Sequence, residues 1–158
     1  MPRKLSLHSN WLINQITLKE NSAWKILAID GQNEETVAKL LRSSKIFLSL
    51  SDREGFSLPP LEASFCGNSV IGYTGEGANE YWSDALFKEI EAGNLRRFFD
   101  EISREMDRLT SQDFLDIDSE KKNQTLSLLR NKYSLEQEKK SLTKVLMRIK
   151  QDKEPISN

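Results

Sequence analysis

The sequence predicts an α/β domain in which helices flank a parallel β-sheet, with further helices at the C-terminal end. Two observations carry this prediction. Short apolar runs that end in turn residues alternate with segments of helical apolar spacing, and a β-α-β alternation favours a parallel sheet. From Ser111 onward, only helical spacing remains. A chain of 158 residues is sufficient for one domain of this kind.

The first third of the chain predicts a helix, a strand and a second helix. Apolar side chains recur at roughly helical spacing over residues 7–19, and a polar break follows. Residues 24–29, WKILAI, are mostly apolar and branched, which predicts a strand. A turn at 30–33 comes next. Two acids then begin residues 34–43, where they favour a helix because they complement the positive end of its dipole.

The middle of the chain predicts two more strands around a short helix. Residues 46–50, IFLSL, are typical of a buried parallel strand. Two prolines suit the first turn of a helix over residues 58–66, where a missing N–H costs least. Gly67 and Asn68 are expected to end that helix before a strand at 69–73.

The remaining segments complete a Rossmann-like domain over residues 1–110. A short strand is predicted near 86–90, and an amphipathic helix from 95 to about 109. Residues 111–150 are expected to form C-terminal helices that pack on this domain. Residues 151–158 have no apolar face and are predicted to be a disordered tail.

The turn after the 46–50 strand carries the most specific functional signal. Its amides should face the crevice at the carboxyl edge of the sheet, with the positive end of a helix dipole behind them, so a phosphate is the natural ligand. Glu54 lies before the turn and Glu62 is expected in the first helical turn, which places two acceptors for sugar hydroxyls beside the anion. A diphosphate with a sugar at each end matches this layout. The amides belong to Gly55, Phe56, Ser57 and Leu58.

This segment also resembles a known family. Residues 54–63, EGFSLPPLEA, resemble the E-x7-E signature of retaining glycosyltransferases of group 1, which have the two-domain GT-B fold. Residues 47–51 are similar to the strand before that signature, and residues 66–72 to the A-C-G-x-P-V-I segment after it. Residues 75–81, GEGANEY, resemble the following G-G-x-x-E loop, with Glu76 where a second glycine is common.

The resemblance implies the C-terminal, nucleotide-sugar-binding half of a GT-B fold, transferring sugar with retention and without an essential metal. By analogy, Glu54 contacts the donor sugar and Glu62 the ribose. The first four residues, MPRK, resemble the family's P-R-K-G phosphate-binding turn, so Arg3 and Lys4 are expected to neutralise the diphosphate as catalytic groups. Leu5 replaces the glycine of that turn. A UDP- or GDP-linked sugar is the expected substrate, with no cofactor.

Parts of the family pattern are missing from this sequence. The first strand of the donor domain should precede Met1, and a strand–helix unit is not visible between Lys4 and Trp24. We therefore expect an abbreviated donor-binding domain that depends on a separate acceptor domain. The alternative is a non-catalytic remnant or interaction module, and a sugar-nucleotide epimerase of similar architecture is a weaker one. The missing strand should also leave an open sheet edge that favours self-association.

Composition excludes several other functions. The chain has 23 Lys and Arg against 24 Asp and Glu, which does not favour nucleic-acid binding, and no apolar stretch approaches bilayer length. Cys66 is the single cysteine, which fits a reducing compartment, so a cytoplasmic location is expected. His8 has no second histidine or nearby cysteine as a co-ligand, and no metal site is predicted.

Overall fold

The computed structural model describes residues 6–19, 24–51, 53–111 and 119–151. In these ranges, three parallel strands form one sheet in the order β1-β2-β3, with helices on both faces, which confirms the predicted α/β class. The strands are Ile46–Ser49 (β1), Ser69–Gly72 (β2) and Phe87–Glu89 (β3). The helices are Ser6–Leu18 (α1), Glu34–Ser43 (α2), Leu58–Phe65 (α3), Leu95–Thr110 (α4), Ser119–Lys132 (α5) and Leu135–Gln151 (α6).

Local sequence explains where several of these helices begin. The Asn33 side chain accepts a hydrogen bond from the Thr36 amide at 2.9 Å and caps α2. Asn94 caps α4 in the same way, through the Arg97 amide at 3.1 Å. The start of α3 differs, because its N-cap Ser57 makes no side-chain capping bond and prolines fill its first turn.

The core consists of two apolar clusters, one on each face of the sheet. Side chains that alternate along β2 reach both clusters, as expected for a strand: Ile71 lies in one and Val70 in the other. The first cluster joins β2 to α1 and α4 through Leu12, Ile16, Phe98, Ile102 and Met106. The second joins β2 and β3 to α2, α3 and α5 through Leu41, Leu61, Ala63, Phe87 and Leu129.

The predicted strand at 24–29 is wrong. These residues belong to no strand or helix, and they line the same cleft as β1. A strand needs a backbone partner, and within the described ranges β1 is paired on its β2 side alone. For the same reason, Ile46, Phe47 and Leu48 in β1 are half-buried, although the sequence predicted a fully buried strand.

The helical nature of the C-terminal part is confirmed, and its two helices differ in their contacts. The first, α5, lies against α3, where Leu129 is buried and the Arg130 side chain donates to the Phe65 carbonyl at 3.0 Å. The apolar side chains of α6 are exposed, Leu142 by 56%. Residues 152–158 of the predicted tail lie outside the described residues. None of the described helices combines the length and apolarity that crossing a bilayer requires.

Candidate functional site

Two loops at the carboxyl edge of the sheet are joined into one unit. The first follows β1 and the second follows β2. The Glu54 amide donates to the Gly75 carbonyl at 2.9 Å, and the Gly77 amide donates to the Glu54 carbonyl at 3.2 Å. Glu54 and Glu76 form a parallel bridge at this crossing. The segments that the sequence singled out therefore meet at one place, the edge where open α/β sheets bind ligands.

The crossing depends on glycine. A Cβ atom added to Gly77 would lie 1.3 Å from the carbonyl oxygen of Gly55, which is far inside contact distance. Gly75 has φ +61°, in the left-handed region that glycine adopts without strain. Glu76 has φ 66° as well, where a side chain costs on the order of 1 kcal/mol. Glu76, one of the positions at which the sequence departs from the pattern that it resembles, is thus strained.

Aromatic side chains hold the first loop against the second. The Tyr81 hydroxyl donates to the Ser57 carbonyl, and the Phe56 ring lies 5.4 Å from the Tyr81 ring and 5.3 Å from the Tyr133 ring, between centroids. Burial raises the pKa of Tyr81, and the neighbouring Tyr133 and Glu54 groups raise it further. The hydroxyl therefore stays protonated and continues to donate at neutral pH.

The start of α3 offers amides to an anion. Within the described ranges, no amide of residues 55–58 donates to a backbone carbonyl. Pro59 and Pro60 have no N–H, so the available donors are concentrated in the loop and at Leu58. Ser57 is buried and does not cap the helix with its side chain, which leaves this end open to an external acceptor.

The sequence-predicted site residues are only partly brought together. Glu54 is half-buried and, with Ser57, lines a cleft of about 930 Å³ beside β1. Glu62 is exposed and is the fifth residue of α3, so its predicted place in the first helical turn is wrong. The helix begins at Leu58, as predicted, and a turn of about 3.6 residues ends before its fifth residue. Arg3 and Lys4 lie outside the described residues.

Sequence reasoning missed one buried acid, Glu105. Burial favours a higher pKa, but hydrogen bonds from Arg108 and Ser69 and the charges of Arg108 and Lys88 outweigh it and lower the pKa of Glu105 to about 2. Its position three residues after the buried Ile102 on α4 was the available signal. Because Ser69 begins β2, this cluster lies at the amino end of the strand, away from the joined loops, and its role is structural.

Comparison with known families identifies the chain. Residues 9–113, about two thirds of the sequence, match the model of the glycosyl transferases group 1. The chain belongs to this family. The matched region includes both joined loops and α3, and it excludes α5 and α6. Among the described residues, no cluster of three or more His, Cys, Asp or Glu is placed to hold a metal ion.

Curated relatives are glycosyltransferases much longer than this chain. The serotype-specific mannosyltransferase WbdA of Escherichia coli is 35% identical over 66 residues, which are 40% of this chain and 8% of that protein. An alpha-1,6-glucosyltransferase of Actinobacillus pleuropneumoniae serotype 7 is 33% identical over 82 residues, covering 50% of this chain and 25% of the relative. The match therefore spans a quarter or less of either protein. No solved structure matches the chain significantly.

Proposed function

We propose that this group 1 glycosyltransferase domain binds a nucleotide-activated sugar, UDP- or GDP-linked, at residues 54–58 and the start of α3. Its role is to present the donor for transfer with retention of configuration. The observation that supports this most directly is the hydrogen-bonded pair of loops, because it holds Glu54 beside amides that donate to no backbone carbonyl of the described residues. The named activities of the two relatives favour a hexose as the sugar.

Each proposed contact follows from the chemistry of the groups. The amides of residues 55–58 and the α3 dipole bind the diphosphate, and Arg3 and Lys4 add positive charge. Glu54 accepts hydrogen bonds from the sugar. Glu62, exposed on α3, accepts them from the ribose hydroxyls. These donors also stabilise the departing diphosphate while the sugar develops oxocarbenium character.

The domain is proposed to need an acceptor-binding partner for efficient transfer. The described residues supply one side of the donor and no second domain to close over it, so binding by this chain alone should be weak and turnover negligible. A non-catalytic remnant that retains the fold without the ligand is the alternative. The exposed position of Glu62 favours that alternative, because a solvated carboxylate contributes less than a buried one.

Calorimetric titration with UDP, GDP, ADP and their sugar conjugates separates these possibilities. We expect one nucleotide to bind, and Glu62→Gln to weaken its binding several-fold, because a neutral amide oxygen accepts hydrogen bonds from hydroxyls less strongly than a carboxylate does. Glu138→Gln is the matched control, since Glu138 is an exposed acid on α6. Failure of every nucleotide to bind at millimolar concentration, or equal weakening by the control, contradicts the proposal. Efficient transfer of labelled sugar by the purified chain contradicts its dependence on a partner.

A further inference from the structure

Tyr133 contacts both of the joined loops, although it lies outside the region that matches the family. It directly follows α5, beyond the matched residues 9–113. Its ring lies 5.3 Å, between centroids, from the ring of Phe56 in the loop that follows β1. Its hydroxyl donates to the carboxylate of Glu80, in the loop that follows β2, at 3.3 Å. One side chain therefore bridges the two loops, in addition to the backbone hydrogen bonds of Glu54.

Phe56 is the apolar anchor of the loop that carries the proposed phosphate-binding amides. The amides of residues 55–58 donate to no backbone carbonyl of the described residues, so the backbone alone does not fix them. Gly55 adds no side chain, and a Cβ at that position would meet no atom within 4 Å. The Phe56 ring, 43% exposed, packs on the rings of Tyr81 and Tyr133. Tyr133 thus supplies one of two ring contacts that hold this loop.

Contacts of α5 hold Tyr133 in its place. Leu129, one turn earlier, is buried in the core cluster that includes α3. The Arg130 guanidinium donates to the Phe65 carbonyl at 3.0 Å and lies 5.5 Å from the centre of the Phe65 ring. The Lys132 ammonium lies 3.5 Å from the Glu80 carboxylate. The helix is therefore attached to α3 and to the second loop on either side of the contact with Phe56.

We propose that Tyr133 is a positioning residue for donor binding, an inference that rests on the donor site proposed above. Through the Phe56 ring, it holds the amides of residues 56–58 in a fixed orientation before the diphosphate binds. Through Glu80, it keeps the second loop against the first. Groups that are ordered in advance reduce the entropy that binding costs, so the C-terminal helical part raises the affinity for the nucleotide.

The order of the loop in the ligand-free chain tests the positioning contact. In ¹⁵N relaxation measurements, the amides of residues 56–58 should have order parameters of about 0.85 in the wild type and in Tyr133→Phe, which retains the ring. Tyr133→Ala should lower them to about 0.6 or less. Phe98→Leu is the control: Phe98 is buried in the core cluster on the other face of the sheet, so its substitution lowers stability and should leave the loop ordered.

Calorimetric titration then tests the effect on binding. Tyr133→Ala should bind the nucleotide about three- to tenfold more weakly, as expected for a lost aromatic contact, and Tyr133→Phe and Phe98→Leu should stay within about twofold of the wild type. Unchanged order parameters in Tyr133→Ala overturn the proposal, and so does equal weakening by Phe98→Leu. A wild-type chain that binds no nucleotide overturns the donor site itself. The order parameters, measured without ligand, separate that failure from failure of the positioning contact.

Discussion

The two sides of β1 differ sharply in how completely they are bonded. On the inner side, the Ser49 carbonyl accepts from the Tyr73 amide at 2.9 Å, and the Ser49 hydroxyl donates to the Tyr73 carbonyl at 2.8 Å. A Cβ on Gly72 would lie 2.0 Å from the Ser49 oxygen, so the backbones approach as closely as glycine permits. On the outer side, β1 faces a cleft that is also lined by residues 24–29, which belong to no strand or helix.

This difference explains where the candidate site lies. The joined loops follow β1 and β2, the two strands with a complete ladder between them, so their positions are fixed by the sheet below. Precise placement of amides and carboxylates requires such a base. On the outer side, β1 has no paired strand in the described part of the chain, and the cleft there is the one that Glu54 and Ser57 line.

The largest effect is expected from Gly77→Ala, which disrupts the contact between the two loops that follow β1 and β2. The new Cβ would overlap the Gly55 carbonyl, so the loops must separate and the Gly77 hydrogen bond to Glu54 must break. We expect a loss of about 3 kcal/mol or more in the free energy of unfolding, measured with urea. Gly55→Ala is the control, since its Cβ meets no atom within 4 Å. Equal stability of the two variants would contradict the geometry.

The next effect concerns Glu105, which is hydrogen-bonded to Ser69 at the amino end of β2, and it is measured as the dependence of stability on pH. The pKa of Glu105 is about 2 in the fold against 4.5 for a free side chain, so its stabilisation is complete above about pH 4.5. It is lost as pH falls towards 2, and we expect the free energy of unfolding to decrease by on the order of 3 kcal/mol over that interval.

Glu105→Gln tests the source of this pH dependence. The variant should be less stable at neutral pH, because Arg108 and Lys88 lose their buried partner, and it should show a flatter stability profile between pH 4.5 and 2. Glu138→Gln, an exposed acid on α6, should leave the profile unchanged. An equally steep profile in Glu105→Gln would assign the pH dependence to other carboxylates.

The smallest effect is expected from relieving the backbone strain at Glu76, in the loop that follows β2. Glu76→Gly should raise the free energy of unfolding by about 1 kcal/mol, since glycine adopts φ 66° without a Cβ clash. Glu76→Ala retains the Cβ and should give no such gain, so the difference in stability between the two variants measures the backbone strain alone. A stabilisation of the same size in both variants would instead point to the removed charge.

Most of the fold was predictable from sequence because most of its elements are locally determined. The strand–turn–helix joint at 46–66 could be located from apolar runs, prolines and a glycine stop, and the structure confirms it to within one or two residues. The 24–29 strand failed because pairing depends on a distant partner that periodicity cannot reveal. Residues 24–29 and 46–50 have similar composition, and among the described residues only the second segment pairs with another strand of the sheet.

The candidate site was predictable to a lesser extent. The chemistry of the turn after β1 indicated Glu54 and the amides of residues 55–58, the family signature agreed, and the structure joins this loop to the Gly75–Gly77 turn. The sequence did not reveal the contact of Tyr81 with Ser57, which joins residues 24 positions apart. Buried Glu105 was missed because an acid on an apolar helix face is recognised only with its partners, and two of these, Ser69 and Lys88, lie on β2 and β3.

Amide chemical shifts test the central claim most directly. In a ¹⁵N-labelled chain titrated with UDP, GDP and ADP, the account predicts that one nucleotide shifts the amides of residues 55–58 and of the Gly75–Gly77 turn, with Glu62→Gln reducing the apparent affinity. The amides of α6 should not move. Shifts confined to other surfaces, or none with any nucleotide at millimolar concentration, would contradict a donor site at the joined loops.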